Sequence, residues 1–170
     1  MKNKTLPQQI DLHAVALNFR LIYELLWHDA TIELQQTDHT LTFVGPIKTW
    51  EDCKPLFNQW LTAQSQLYLE PWLKKLSHDS GLKYQNLAFR GQKTLWGSCS
   101  NKKNINLNYK LLFLPARLAR YVLVHELCHT VHLDHSQRFW SLVARYEPDY
   151  RRLKKELRQA EYYLPEWMIR

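Results

Sequence analysis

The sequence predicts an α+β fold in which a small, mainly antiparallel sheet packs on a helix carrying a histidine cluster. Three observations point to it. Short apolar stretches bounded by turn residues occur twice, before Gly45 and between Leu82 and Lys110. Between them, Trp50 to Ser80 carries apolar residues at helical spacing. After Pro115 the pattern is helical nearly to the end. Strands, a helix, further strands and then helices is the order of an α+β protein, not of alternating βα units. At 170 residues and 45% hydrophobic content, the chain is expected to form one domain over residues 1–170.

Residues 8–27 fit two periods. Leu12, Val15, Phe19, Ile22 and Leu26 stand at helical spacing, whereas Val15, Leu17, Phe19 and Leu21 alternate. The helix is the preferred reading, so residues 1–49 are expected to be a helix followed by a hairpin. That hairpin pairs ATIELQQ (30–36) with TLTFVG (40–45) around Thr37–Asp38. The helix from Trp50 should turn Phe57, Trp60, Gln64, Leu67, Trp72 and Leu76 inward. Pro71 should kink or restart it, because proline lacks the backbone donor and crowds the preceding turn. Gly81 is a natural stop. LKYQNLAFR (82–90) reads as a strand, GQKTLWGSCSNKK as irregular, and NINLNYK (104–110) as a half-buried strand with asparagines on its outer face. Pro115 suits the first turn of PARLARYVLVHELCHTVH. Asp134 or Ser136 can cap SQRFWSLVARY, and Pro148 can open PDYRRLKKELRQAEYY.

Charge is unevenly distributed. The net charge is +7, yet Lys83, Arg90, Lys93, Lys102, Lys103, Lys110, Arg117 and Arg120 fall in a segment with no Asp or Glu. Such a segment would draw nucleic acid or acidic peptides, or simply serve as a solvated surface. The three cysteines, Cys53, Cys99 and Cys128, form no CxxC pair, which suits free thiols in a reducing cytoplasm. MKNKTLPQQIDLHA lacks the apolar core of a signal peptide, and no apolar run is long enough to span a bilayer. A cytoplasmic protein without a membrane partner is expected.

Residues 125–135, HELCHTVHLDH, carry the chemistry. His125 and His129 are four apart on an expected helix, so both imidazoles leave one face and can meet one Zn²⁺. Glu126 is turned about 100° from His125, poorly placed as a ligand but well placed to take a proton from a metal-bound water. In a chain with eight His, H-E-x-x-H arises by chance about once in fifty such compositions. Adding His135, which can swing back after the helix ends, lowers that to about one in a thousand. Three histidines leave a fourth position open, the pattern of catalytic rather than structural zinc.

Several alternatives accompany this set. Glu147 or Asp149 could replace His135 as third ligand, or orient a ligand histidine. His132 reads as a helix-end histidine, since a fourth protein ligand would close the site. Cys128 reads as a small core residue. Cys99 reads as a packed turn residue, with a thiolate capping the metal as the other option. His13, His28, His39 and His78 are scattered and ordinary. Phe139 and Trp140 should pin the His135 turn to the core.

Three ordered stretches, WGSCS (96–100), NINLNY (104–109) and YVLVHELCHTVHLDHSQRFW (121–140), resemble the YgjP-like metallopeptidase family, a relative of the SprT-like and WLM proteases. The resemblance covers about residues 50–165. It implies a zincin-like fold, a zinc ion and peptide-bond hydrolysis, with His125, His129 and His135 matching the ligands and Glu126 the catalytic glutamate. The family usually has an arginine immediately before WGSC. Here that position is Leu95, so Arg90 or Lys93 would have to substitute.

The expected function is therefore zinc-dependent hydrolysis of protein or peptide substrates, with Glu126 as general base. NINLNY is a candidate sheet edge for an extended substrate, though an internal strand reads equally well. Tyr109, Tyr121 and Tyr146 are candidate oxyanion stabilisers. The resemblance also implies a narrower alternative, a protease of DNA-bound or crosslinked proteins. A nucleic-acid-binding module with a purely structural zinc site is the alternative from a different class. It would close the metal with His132 or Cys99, and it gives Glu126 no task.

Overall fold

Period two wins at the amino terminus. In a computed structural model, which describes residues 6–28 and 31–169, β1 (Gln9–Leu12) and β2 (Leu17–Leu25) replace the helix expected over 8–27. The MKNKT start and Ala30 of the first hairpin strand lie outside the described residues. The two strands are antiparallel, with Ile10 opposite Phe19 and Leu12 opposite Leu17. Ile10, Leu12, Phe19 and Leu21 are buried, whereas Asn18 and Arg20 between them are exposed. A helix would have scattered these apolar residues around its axis; a half-buried sheet gathers them on one face.

The chain divides into two compact units, Met1–Leu12 with Ala16–Leu61, and His13–Val15 with Thr62–Arg170. The first contains a four-stranded sheet in the order β1-β2-β4-β3, with β3 at Glu33–Thr37 and β4 at Thr40–Gly45. The expected hairpin is β3–β4, closed with Thr37 opposite Thr40 and Asp38 at φ 39°. β2 runs parallel to β4. Phe43, Trp50, Phe57 and Trp60 form an aromatic chain behind this sheet, with Phe19 edge-on to Trp60 at 5.0 Å.

Helix α1 (Trp50–Ser80) is unbroken through Pro71, against the expected kink or restart. The carbonyl that proline leaves without an intrahelical partner belongs to Leu67, a residue 58% exposed, where water can replace the missing donor. Leu67 therefore does not belong to the inward stripe, which runs through Cys53, Phe57, Trp60, Gln64, Leu69 and Leu73. Gly81 ends the helix at φ 74°, its N–H returning to the Ser77 carbonyl.

In the second unit a three-stranded sheet has the order β5-β7-β6. β5 is Asn86–Arg90 and β7 is Asn104–Asn108, paired in parallel. The stretch expected to be irregular contains β6 (Gly97–Cys99), antiparallel to β7. β7 is thus central, which rules out NINLNY as the sheet edge; Ile105 and Leu107 are buried and Asn106 less so. Tyr109 leaves the strand for a 3-10 turn, Tyr109–Phe113. β6 and β7 pack against α2 (Ala116–His129), followed by α3 (Gln137–Tyr146), α4 (Tyr150–Leu157) and a short α5 (Glu166–Ile169). The helix expected from Pro148 to Tyr163 is therefore shorter, with a separate 3-10 turn over Ala160–Tyr163. Two small sheets with five helices among the described residues form a mixed α+β structure consistent with a zincin-like domain. None of the helices is long and apolar enough to cross a membrane.

Candidate metal centre

α2 places the histidines through its own packing. Pro115 caps it, Leu118 and Val122 are buried two turns and one turn before His125, and His129 is 8% exposed. The helix ends at His129, three residues earlier than the sequence suggests. The Thr130 hydroxyl donates to the Leu127 carbonyl at 2.7 Å, offering the backbone an alternative to another helical turn. The chain then turns so that the His132 carbonyl accepts from His129 Nδ1 at 2.9 Å. Asp134 accepts from the Ser136 N–H, and Ser136 caps α3 through the Phe139 N–H. Between these two anchors His135 comes back over α2.

The result is a triangle of ring nitrogens. Nε2 of His129 lies 3.1 Å from that of His125 and 3.2 Å from that of His135, and the third side is also 3.2 Å. The His129 ring stacks on Phe139 at 4.3 Å and the His135 ring on Trp140 at 5.5 Å. Phe139, fully buried, is the anchor the sequence suggested.

These rings are suited to a cation. Burial, then the neighbouring imidazoles, hold His125 down to about 3, and burial also lowers His129. His125 and His129 are thereby held in their neutral form at neutral pH. Because His129 Nδ1 must donate to a carbonyl, its Nε2 presents a lone pair. A closed ring of hydrogen bonds cannot satisfy all three nitrogens at once. Donors held 2.0–2.1 Å from one tetrahedral ion would stand about 3.3–3.4 Å apart, close to the spacing seen.

Glu126 faces the same cleft as His125 and His135, a space of about 580 Å³. It is 5% exposed, and its Oε2 has no hydrogen-bond partner. Burial pushes its carboxyl up to about 8. Gly97 of β6 makes room for it: a Cβ there would lie 2.7 Å from Glu126 Oε1 and 2.8 Å from Cγ. The contact of Gly97 with Glu126 joins β6 to α2, elements that sequence spacing does not relate. His132 likewise matters through its carbonyl, which any residue could supply.

The alternatives lie elsewhere. Glu147 forms an ion pair with Arg120, and Asp149 pairs with Arg152 at 3.3 Å. Among the described residues, the metal-competent group contains His125, His129 and His135 and neither His132 nor Cys99. Cys99 is in β6 and not in a turn, while Cys128 is buried in the core. His13, His28, His39 and His78 are outside the group. Tyr109 packs on Gly91 and Tyr146 donates to the Ser80 carbonyl, whereas Tyr121 lines the cleft. Leu95 also lines it. Neither Arg90 nor Lys93 does; the cations that reach this cleft are Lys154 and Arg158 of α4 and its cap, which the sequence did not single out.

A histidine triangle with a buried glutamate beside it, on an α+β scaffold, fits the class of metallopeptidases. A family model described as "YgjP-like, metallopeptidase domain" matches residues 14–160. The chain belongs to the YgjP-like metallopeptidase family. Among curated proteins and among solved structures, nothing matches it.

One consequence concerns Gly97. Gly97→Ala should leave metal content unchanged and lower kcat at least tenfold, because the new methyl displaces the Glu126 carboxyl. Metal analysis beside peptide turnover checks this; wild-type kcat in the variant would mean that the Glu126 position is not critical.

Proposed function

We propose that the chain is a zinc-dependent peptidase in which His125, His129 and His135 hold the ion and Glu126 serves as general base. The convergence of three Nε2 atoms at 3.1–3.2 Å carries this reading. Zinc suits imidazole ligands, and a three-histidine set leaves a coordination place for catalysis. The bound ion would supply Lewis acidity to the scissile carbonyl and to the attacking water. Beside that cation the Glu126 carboxyl, raised by burial in the metal-free protein, would ionise and would take a proton of the water as the water oxygen bonds to the carbonyl carbon. It then gives the proton to the amine nitrogen as the C–N bond breaks. Tyr121, which alone of Tyr109, Tyr121 and Tyr146 lines the cleft, is the candidate donor to the developing oxyanion.

β6 supports an extended substrate. It is an edge strand, and its pairing with β7 uses Trp96 O to the Asn108 N–H and the Ser100 N–H to Asn104 O. With hydrogen-bonded pairs alternating along an antiparallel ladder, Gly97 and Cys99 direct their backbone groups to the free edge. A peptide adding there would run beside Glu126. The free thiols Cys53, Cys99 and Cys128 support a cytoplasmic setting.

The test is a peptide-library digest with chelated protein and with protein reloaded with one equivalent of Zn²⁺. Cleavage is expected after reloading and not before. No cleavage by the reloaded protein, or cleavage indifferent to chelation, sinks the reading. Single-stranded DNA is added in a parallel arm, because Lys83, Arg90, Lys93, Lys102 and Lys103 are exposed, although Arg117 and Arg120 are matched by Glu156 and Glu147.

A further inference from the structure

We propose that Lys154 and Arg158 form a subsite for a substrate carboxylate beside the histidine triangle; as a cleavage subsite this rests on the peptidase reading above. Both side chains line the cleft that contains His125, Glu126 and His135. Lys154 is in α4, and Arg158 is its C-cap in helical conformation, so the two stand four apart on one face.

Two neighbouring charges of α4 are paired, and Lys154 and Arg158 are not. Arg152 of the same helix pairs with Asp149, and Glu156 pairs with Arg117 and accepts from the Tyr163 hydroxyl at 2.8 Å. Among the described residues, Lys154 and Arg158 have no salt bridge. Like charges four apart on a helix repel, so an unmatched pair facing a cleft is a poor structural choice and a good anion site.

The ammonium is also held in place. Lys154 Nζ sits 4.0 Å over the Trp140 ring, Trp140 stacks on Tyr150 at 5.3 Å, and on its other contact Trp140 stacks on His135 at 5.5 Å. This aromatic stack fixes the cation relative to the candidate metal ligands. Glu161, which with Glu126 supplies the acidic groups of the cleft, also lines an adjoining cavity of about 300 Å³ with Lys93 and Lys110 and interacts with the Lys110 charge. Its charge is opposed there, and Lys154 and Arg158 remain for a ligand. The carboxylate could be an Asp or Glu side chain near the scissile bond or the C-terminus of the peptide. Both would be gripped by the same charge-assisted hydrogen bonds.

The experiment uses full-length protein and one peptide series, with Asp/Glu or Asn/Gln at each position and a free or amidated C-terminus. Turnover is measured on zinc-loaded protein, and binding by fluorescence anisotropy on Glu126→Gln, with and without Lys154→Met/Arg158→Gln. Methionine retains the stem that packs on Trp140. The carboxylate peptides are expected to bind and turn over about tenfold better in the parent, with that advantage lost in the double variant while neutral peptides change less than about twofold. A preference tied to one Asp/Glu position and indifferent to amidation identifies the side chain; one abolished by amidation identifies the C-terminus. Charge-dependent binding without cleavage by the zinc-loaded protein would remove the peptidase reading and leave the subsite. Equal handling of acidic and neutral peptides, or a preference that survives in the double variant, overturns the subsite and leaves the peptidase reading.

Discussion

Glu126→Gln should lower kcat by about three orders of magnitude and leave the zinc content of the loaded protein at its wild-type value. The amide keeps the shape of the carboxyl against Gly97 but cannot accept a proton from water, and general-base contributions are typically about 10²–10⁴-fold. The three imidazoles are untouched, so metal analysis should not distinguish variant from parent. Turnover within about tenfold of wild type would remove Glu126 as base. The same variant has an effect on the metal-free protein. Burial raises the Glu126 carboxyl from about 4.5 to about 8, so its ionised form is disfavoured in the fold. Stability from this group is retained below the unfolded value and lost as pH rises through the folded one. Thermal unfolding in chelator should therefore show Glu126→Gln with the higher Tm at pH 8 and a smaller advantage at pH 5. Equal Tm values at both would mean that the carboxylate has a partner in solution.

His135→Ala should weaken zinc binding by more than about 100-fold while the fold remains intact. Among the three candidate ligands, His135 alone comes from outside α2, and it is exposed, so truncating it leaves the Phe139 and Leu127 core in place. The two histidines that remain make an incomplete set. Competitive titration with a chromogenic chelator reads the affinity, and circular dichroism reads the fold. Unchanged affinity would move the third ligand away from His135. Glu147 could take over only by leaving Arg120, with which it pairs.

The parts of this molecule with a local cause were readable early. α1 was bounded at Trp50 and Ser80 because its apolar spacing and Gly81 are local signals. The β3–β4 hairpin followed from alternation around Asp38, and Ser136 and Phe139 were recognisable as cap and anchor. The amino-terminal strands were misread because Leu12, Val15 and Phe19 satisfy a helical period as well as a strand period. Pairing with β4, distant in sequence, decides between them. For β7 the sequence left edge and internal strand equally open; pairing with both β5 and β6 decides for the internal place, and Asn108, expected on the outer face, is buried and donates to the carbonyls of Gln92 and Leu95.

By itself the sequence determined the chemistry that depends on spacing: two histidines one helical turn apart, a glutamate rotated off their face, and a third histidine within reach. Those are consequences of helix geometry and need no distant partner. The tertiary structure decided what surrounds them. It put Gly97 against Glu126, the His132 carbonyl on His129, Arg120 on Glu147, and two unmatched cations of the α4 segment beside the triangle. Each of these joins residues whose separation along the chain carries no periodic signal, so only packing could bring them together.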